Sequence, residues 1–273
     1  MLLDARQCSG VSVETLCNSA YVCKQVAIEL GDPQNTDRPD LMHENTPAEF
    51  DEYDQSYNDA MDRALAFSGL KLDFFTRVKV EYFVELLESL AVPVSRIDMI
   101  DVGCGIGNSH PLLKRHVGRL TGVDVSRACI TQAVANNPEN DYKAYDGLNL
   151  PYPAASFDVA SAVCVFHHVP IQHRLPLAVD IRRILKPKGL FVLFEHNPLN
   201  PFTRHVVNNC TFDKNAILLR SNETKLLFEQ AGFQNIRSNF ILTIPAIGRT
   251  LRKVDQLFSR LPLGAQYYTF GRG

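Results

Sequence analysis

The chain contains no uninterrupted run of about 18 apolar residues, the length that a membrane-spanning helix requires. Its first residues do not place a basic segment ahead of an apolar core, so neither an anchor nor an export signal is expected, and a cytoplasmic location is the expectation. Net charge is small: 28 Lys and Arg stand against 30 Asp and Glu, a formal charge of −2. That balance supplies no general attraction to nucleic acid or to an anionic membrane, and it points to a small-molecule partner first. None of the seven cysteines forms a Cys-x-x-Cys pair, which removes the common zinc and redox motifs, and their odd number favours reduced thiols. Internal repeats and low-complexity tracts are also missing.

What is present suffices for a large core. With 273 residues, 45% hydrophobic and 21% charged, the chain is expected to form one domain with appendages. Residues 1–47 read as an N-terminal extension and linker: Val11 to Leu30 could form one helix, and Gly31 to Pro47 is polar and punctuated by proline. Met42 stands just before the better-patterned part, so residues 1–41 are a candidate dispensable extension or misassigned start. Residues 48–273 read as a single domain. Within it, residues 48–92 form a helical lid or packing segment, in which Tyr53 or Tyr57 could cover a ligand, and Phe75, Val78, Tyr82, Leu86 and Leu90 mark a helical stripe.

The centre of the pattern is Ile97 to Gly107, Ile-Asp-Met-Ile-Asp-Val-Gly-Cys-Gly-Ile-Gly. An apolar strand ends at Asp101, three glycines follow at alternate positions, and a helix is expected from about Asn108. Glycine admits unusual backbone angles and lets a ligand approach the main chain, and a helix start adds unpaired N–H groups. Strand and helix then alternate. Strands are expected over Leu120 to Val123, Asp141 to Tyr145, Phe157 to Val165 and Leu190 to Phe194, and helices over Arg127 to Ala135 and Gln172 to Leu185. Lys186 to Gly189 reads as a turn, and Asn197 to Leu219 as a long polar loop. A helix over Ser221 to Ala231 capped by Ser221, a strand over Ile236 to Thr243, a helix over Ala246 to Ser259 and a last strand over Ala265 to Phe270 complete the pattern.

Such alternation implies an α/β fold, a doubly wound and mainly parallel sheet with helices on both faces. Ligands of these sheets bind beyond the carboxyl ends of the strands, which places Asp101, Asp124, Asp146, His167, His168, Glu195 and His196 on one rim. The glycine spacing is Gly-x-Gly-x-Gly rather than the Gly-x-Gly-x-x-Gly of dinucleotide binders. Asp124 stands 23 positions after Asp101, at the next strand end, where a carboxylate can accept from both hydroxyls of a ribose.

Taken in order, Asp101-Val-Gly-Cys-Gly-Ile-Gly107, Asp124, Asp146-Gly147, Ser156-Phe157-Asp158 and Leu185-Lys-Pro-Lys-Gly189 resemble the class I S-adenosylmethionine-dependent methyltransferases. The resemblance runs over about Ala48 to Phe270, most closely Asp98 to Glu195, and its specificity lies in the ordered set. It implies a seven-stranded Rossmann-like sheet with an antiparallel C-terminal strand, S-adenosylmethionine as cofactor and a small-molecule methyl acceptor. By the same resemblance, Gly103, Cys104, Gly105 and Gly107 would line the methionine portion, with Asp101 near its ammonium. Asp124 would hold the ribose, Val125 would touch the adenine, Asp146 and Gly147 would meet the adenine amino group, and Val163 and Cys164 would contact the cofactor from the fourth strand.

Plainer roles compete with functional ones. Asp158 reads as a strand-start residue, Cys104 and Cys164 as packing residues without a base beside them, and Lys186 and Lys188 as solvated turn charges. His167 and His168 are adjacent, so at most one is expected to face the cofactor or acceptor. Candidate catalytic groups are His168 and His196, either of which could take a proton from an acceptor hydroxyl, and Glu195, which could touch the acceptor. His167, His168, Glu195 and His196 could form a metal site on paper, but no metal is expected. Two other classes stay open: a nicotinamide-dependent oxidoreductase, disfavoured by the third glycine, Asp101 and Asp146, and a cofactor-binding regulatory protein without turnover. The chain lacks the Asn/Asp-Pro-Pro-Tyr tetrapeptide of base methylation, and the acceptor atom is open between oxygen, nitrogen and carbon.

Overall fold

Strands covered by helices on both sides must be apolar on both faces, and the first strand, β1 (Asp98–Val102), shows how the chain meets this demand. In the computed structural model, which describes residues 62–66, 69–89 and 93–273, Met99 packs into one buried cluster and Ile100 and Val102 into another. All described residues fall in the larger of the two units into which the chain divides, Glu44–Gly273. The expected helix over Val11 to Leu30, the linker and Tyr53 and Tyr57 lie outside the described residues. Of the segment Ala48 to Leu70, residues 62–65 are helical, with Ala64 and Leu65 buried.

The other strands are β2 (Arg119–Asp124), β3 (Asp141–Ala144), β4 (Phe157–Val163), β5 (Leu185–His196), β6 (Gln234–Ile241) and β7 (Gln266–Arg272). They form one seven-stranded sheet in the order β3-β2-β1-β4-β5-β7-β6. β1 to β5 pair in parallel, and β7 is antiparallel to β5 and to β6. Period-2 alternation divides β5 as it does β1: Val192 and Phe194 face one cluster, Phe191 and Leu193 the other. Helix α1 (Leu72–Glu88) covers the first face with Phe75, Val78, Tyr82 and Phe83, each buried. The remaining helices are α2 (His110–Leu113), α3 (Arg127–Asn136), α4 (Ile171–Ile184), α5 (Pro201–Asn209), α6 (Ser221–Gln230) and α7 (Arg249–Gln256). α4 and α6 cover the second face through Leu177, Ile181, Ile184 and Phe228.

Several expected elements are corrected. The helix after the glycines is a single turn, so its dipole adds little at the loop. β4 stops at Val163 because Cys164 turns to φ +58°, out of the extended region. Lys186 is not a solvated turn charge: it lies within the span of β5, at an irregular register against β4, and its ammonium reaches Asp158 at 2.8 Å and Asp98 at 3.1 Å. Asn197 to Leu219 is not an irregular loop but holds α5, begun by Pro201 at a first-turn position and capped by the Asn200 side chain, which accepts from the Thr203 N–H. Ser221 lies inside α6, whose start is closed instead by Glu223 accepting from the Arg220 N–H at 2.6 Å. α7 is shorter than expected, beginning after Gly248 at φ +84°.

α7 is fastened to α1 by buried polar contacts. Asp255, fully buried, accepts from the Tyr82 hydroxyl at 2.7 Å and from the N–H groups of Leu242, Thr243 and Ile244 at 2.9, 2.9 and 3.1 Å. Arg252 pairs with Glu81 and Glu85 of α1. Burial and the Asp255 carboxylate push the Tyr82 hydroxyl far above its ordinary pKa, so it serves as a permanent donor. Asp255→Ala leaves one hydroxyl and three buried N–H groups without their acceptor. A loss of about 3 kcal/mol is expected, a fall in Tm of roughly 6–12 °C by calorimetry. An unchanged Tm would show that this carboxylate does not hold the two elements together.

Candidate functional site

The glycine loop hangs from the end of the neighbouring strand. The Val123 carbonyl accepts from the N–H groups of Gly103 and Cys104 at 2.8 and 3.0 Å, and the Asp124 carboxylate accepts from Gly105 N–H at 2.8 Å and Ser126 N–H at 3.0 Å. Burial pushes the Asp124 carboxyl up, against the pull of the Ser126 and Gly105 donors. A carboxylate presents about four lone-pair sites, so these bonds leave room for a ligand hydroxyl. Gly103, Gly105 and Gly107 all take positive φ, at +74°, +52° and +75°. A Cβ on Gly105 would meet nothing within 4 Å, whereas one on Gly103 would stand 2.5 Å from Val165.

Behind the loop runs a buried polar chain that the sequence did not reveal. Asp101 accepts from Ser161 Oγ at 2.5 Å, and its other oxygen lies 3.1 Å from His110 Nε2. His110 Nδ1 in turn meets the Tyr142 hydroxyl at 2.6 Å, with the two rings stacked. His110 reads in sequence as an ordinary helix-start residue, and only the pairing of β1 with β4 and of β2 with β3 brings these four groups together.

A cavity of about 540 Å³ opens beyond the carboxyl ends of β1 and β4, where the strand order reverses. The volume suits a small ligand. Of the sequence-predicted cofactor residues, Asp101, Gly103, Cys104, Gly105, Asp124, Val125, Asp146, Gly147, Val163 and Cys164 line it. Gly107 does not: it is buried, and a Cβ there would stand 2.7 Å from Asn137 and 3.0 Å from the Tyr142 hydroxyl, so its role is to turn the chain. Asp146 is exposed and bonded to Asn149 and to the Leu148 N–H, and its carboxyl is lowered chiefly by the Asn149 contacts. The residues fit an adenosyl ligand: two buried carboxylates and bare backbone share one wall.

The opposite part of the cavity is aromatic and aliphatic. Leu72, Phe75 and Phe83 of α1 and Phe202 and Val206 of α5 line it, Phe75 and Phe202 with near-parallel rings 6.4 Å apart. Its floor is polar and holds His167, His168, His196, Asp213 and Gln266. Glu195 is corrected: it is fully buried and absent from the cavity wall, and it accepts from Phe166 N–H at 2.9 Å and meets His167 Nδ1 at 2.6 Å. It positions His167 rather than touching an acceptor. Burial alone would lower His167, but Glu195 and Asp213 raise it to about 10; burial and the neighbouring His167 drop His168 to about 3. His168 therefore stays neutral and is a weak base. His196 lies 3.4 Å from the Gln266 amide nitrogen through Nδ1 and stands on the wall.

Cys164 is also corrected. Burial raises its thiol, but the Lys79 ammonium, 3.8 Å away, and His196 outweigh that and bring it to about 7. Alkylation by iodoacetamide at this thiol is expected to rise as the pH climbs through about 7. Lys79→Met should move that rise towards the ordinary range near 8.5, read by mass spectrometry of the labelled peptide. Gly105 and Gly107 also separate. Gly105→Ala is expected to weaken S-adenosylhomocysteine binding by about tenfold or more in calorimetry, with a stability cost of about 1 kcal/mol. Gly107→Ala should cost about 1–3 kcal/mol in stability and keep affinity within about threefold; the reverse pattern would reassign the two positions.

Residues 100–193 match the family described as a methyltransferase domain. Squalene methyltransferase 2 of Botryococcus braunii is 28% identical over 180 residues, 60% of this chain and 47% of that protein. The 2-methyl-6-phytyl-1,4-hydroquinone methyltransferase of Synechocystis is 31% identical over 103 residues, 36% of this chain and 32% of that protein. The chain thus spans about half or less of the length of these curated relatives. Among solved structures, an S-adenosylmethionine-dependent methyltransferase of Thermotoga maritima superposes with a TM-score of 0.57 at 18% identity, over 82% of this chain and 99% of that one, a likeness of fold. No helix among the described residues is long and apolar enough to cross a membrane. With the strand order and the loop hung from β2, these matches place a methyltransferase domain at residues 100–193 and support the resemblance to the class I S-adenosylmethionine-dependent methyltransferases.

Proposed function

We propose that the protein transfers a methyl group from S-adenosylmethionine to an apolar small molecule that carries a hydroxyl or amine. The observation that carries this reading is the shared cavity: the Asp124 and Asp101 carboxylates and the open face of Gly105 stand on one wall, and an apolar chamber adjoins them. Asp124 would hold the ribose hydroxyls, Asp101 the ammonium, and Val125 and Gly147 the base. S-adenosylmethionine supplies the electrophilic methyl group when bound.

The rest belongs to the chain. Methyl transfer is an in-line displacement, and holding the reactants aligned can contribute several kcal/mol, on the order of 7 in favourable cases. Leu72, Phe75, Phe83, Phe202 and Val206 would exclude water and grip an apolar body. Gln266 Oε1 is buried without a hydrogen-bond partner among the described residues, and the residue lines the cavity, so it suits an O–H or N–H of the acceptor. His196 beside it is the proton acceptor in this reading. The relatives named for squalene and for a methyl-phytyl hydroquinone support an apolar acceptor. Among the described residues no disulfide joins Cys104, Cys129, Cys164 or Cys210, which supports a reducing, cytoplasmic setting.

Purified protein with labelled S-adenosylmethionine is expected to methylate a prenylated phenol at least about tenfold faster than a small polar catechol, and capping the phenol oxygen should abolish the product. Asp124→Ala should reduce S-adenosylhomocysteine affinity by about tenfold or more, a loss of about 1.4 kcal/mol. Equal affinity of wild type and variant in calorimetry would remove the cofactor assignment. Preference for the polar acceptor would remove the apolar one.

A further inference from the structure

We propose that His167, His168 and Asp213 form a binding site for a divalent transition-metal ion of the Zn²⁺ type on the cavity floor. His167 and His168 stand in the turn after β4, and Asp213 comes from the short 3-10 turn Thr211–Asp213 that succeeds α5. One ligand atom from each lies within 4.8 Å of the others. His168 Nε2 and His167 Nε2 stand 3.4 and 3.6 Å from the same Asp213 oxygen. The second distance is too long for a hydrogen bond. Both suit two ligands of one ion: at metal–ligand lengths of about 2.0–2.2 Å, tetrahedral geometry separates ligands by about 3.3–3.6 Å.

The surroundings are those of a supported site. Glu195 lies 2.6 Å from His167 Nδ1, and by accepting a hydrogen bond from Nδ1–H it leaves the Nε2 lone pair of the neutral ring facing Asp213. Glu195 is itself held by the Phe166 N–H, and the turn is tied to the segment after Asp213 by the Ile217 N–H donating to the His167 carbonyl at 2.9 Å. All three ligands also line the cavity, which gives an ion an approach and leaves an open position facing the chamber. Two imidazoles and one carboxylate match the borderline-soft character of Zn²⁺ rather than Mg²⁺ or Ca²⁺. An ion here would offer that open position to an acceptor oxygen, a role that rests on the methyl-transfer reading; the binding of the ion does not.

The test reads metal binding on the full chain. Protein stripped with a chelator is titrated with Zn²⁺ against a chromophoric chelator, and with Co²⁺ in the visible range. Wild type is expected to take up a single Zn²⁺ with micromolar affinity or better, and to give a cobalt spectrum without a thiolate charge-transfer band. His168→Gln and Asp213→Asn should each weaken binding by about tenfold or more, Glu195→Gln by about 10–100-fold, and His116→Gln, away from the cavity, not at all. Absence of binding in folded wild type overturns the proposal and leaves an imidazolium held between two carboxylates. So does a thiolate band, or affinity that survives both His168→Gln and Asp213→Asn. The methyl-transfer reading stands or falls separately, on S-adenosylhomocysteine calorimetry.

Discussion

The fastening of the glycine loop to the end of β2 is the constraint on which the site depends. A loop of three glycines at positive φ has little conformational preference of its own, and without partners its N–H groups would sample many directions. The Val123 carbonyl and Asp124 carboxylate remove that freedom with three bonds to Gly103, Cys104 and Gly105. The same carboxylate stands on the cavity wall, so one side chain both shapes the loop and faces the cavity. Its burial is tolerable because backbone donors stabilise the charge that burial opposes.

The cavity is polarised from wall to floor. Carboxylates and bare backbone gather at the ends of β1 and β2, aromatic side chains of α1 and α5 close the far side, and imidazoles collect below the end of β4. Each region is reinforced by further hydrogen-bond partners. His110 and Ser161 hold Asp101, Glu195 holds His167, and Asn200 and the Thr203 hydroxyl, which donates to the Ala265 carbonyl at 2.5 Å, hold α5 in place. Such second partners reduce the motion of the groups in front of them, which is what an alignment-dependent reaction needs.

Much of the architecture was legible because local patterns carry it. The continuous apolar run of β4 announced a strand covered on both faces, the alternation of strand and helix announced a parallel sheet, and the order of motifs from Asp101 to Gly189 pointed to the family. The misreadings are equally physical. Asn197 to Leu219 looks like a loop because prolines and asparagines dominate it, yet Asn200 and Pro201 are residues that start helices when helix-compatible neighbours succeed them, as Phe202 to Asn209 do here. Lys186 looks solvated because its partners Asp98 and Asp158 are 88 and 28 residues away in the chain. Gly107 and Gly105 are indistinguishable as letters, and only their neighbours in space separate the turn-maker from the cavity-facing residue.

The sequence by itself determined the class of fold, the strand ends that border the cavity and the residues available there, because hydrophobic period and glycine chemistry act within a few residues. Tertiary structure alone decided which of those residues face the cavity, that Glu195 supports rather than touches, that Cys164 has Lys79 for a neighbour, and that Asp213 meets His167 and His168. Those outcomes arise from pairings across strands and helices far apart in the chain, and the charge state and reach of a side chain are set by whatever such pairings bring within a few ångströms of it.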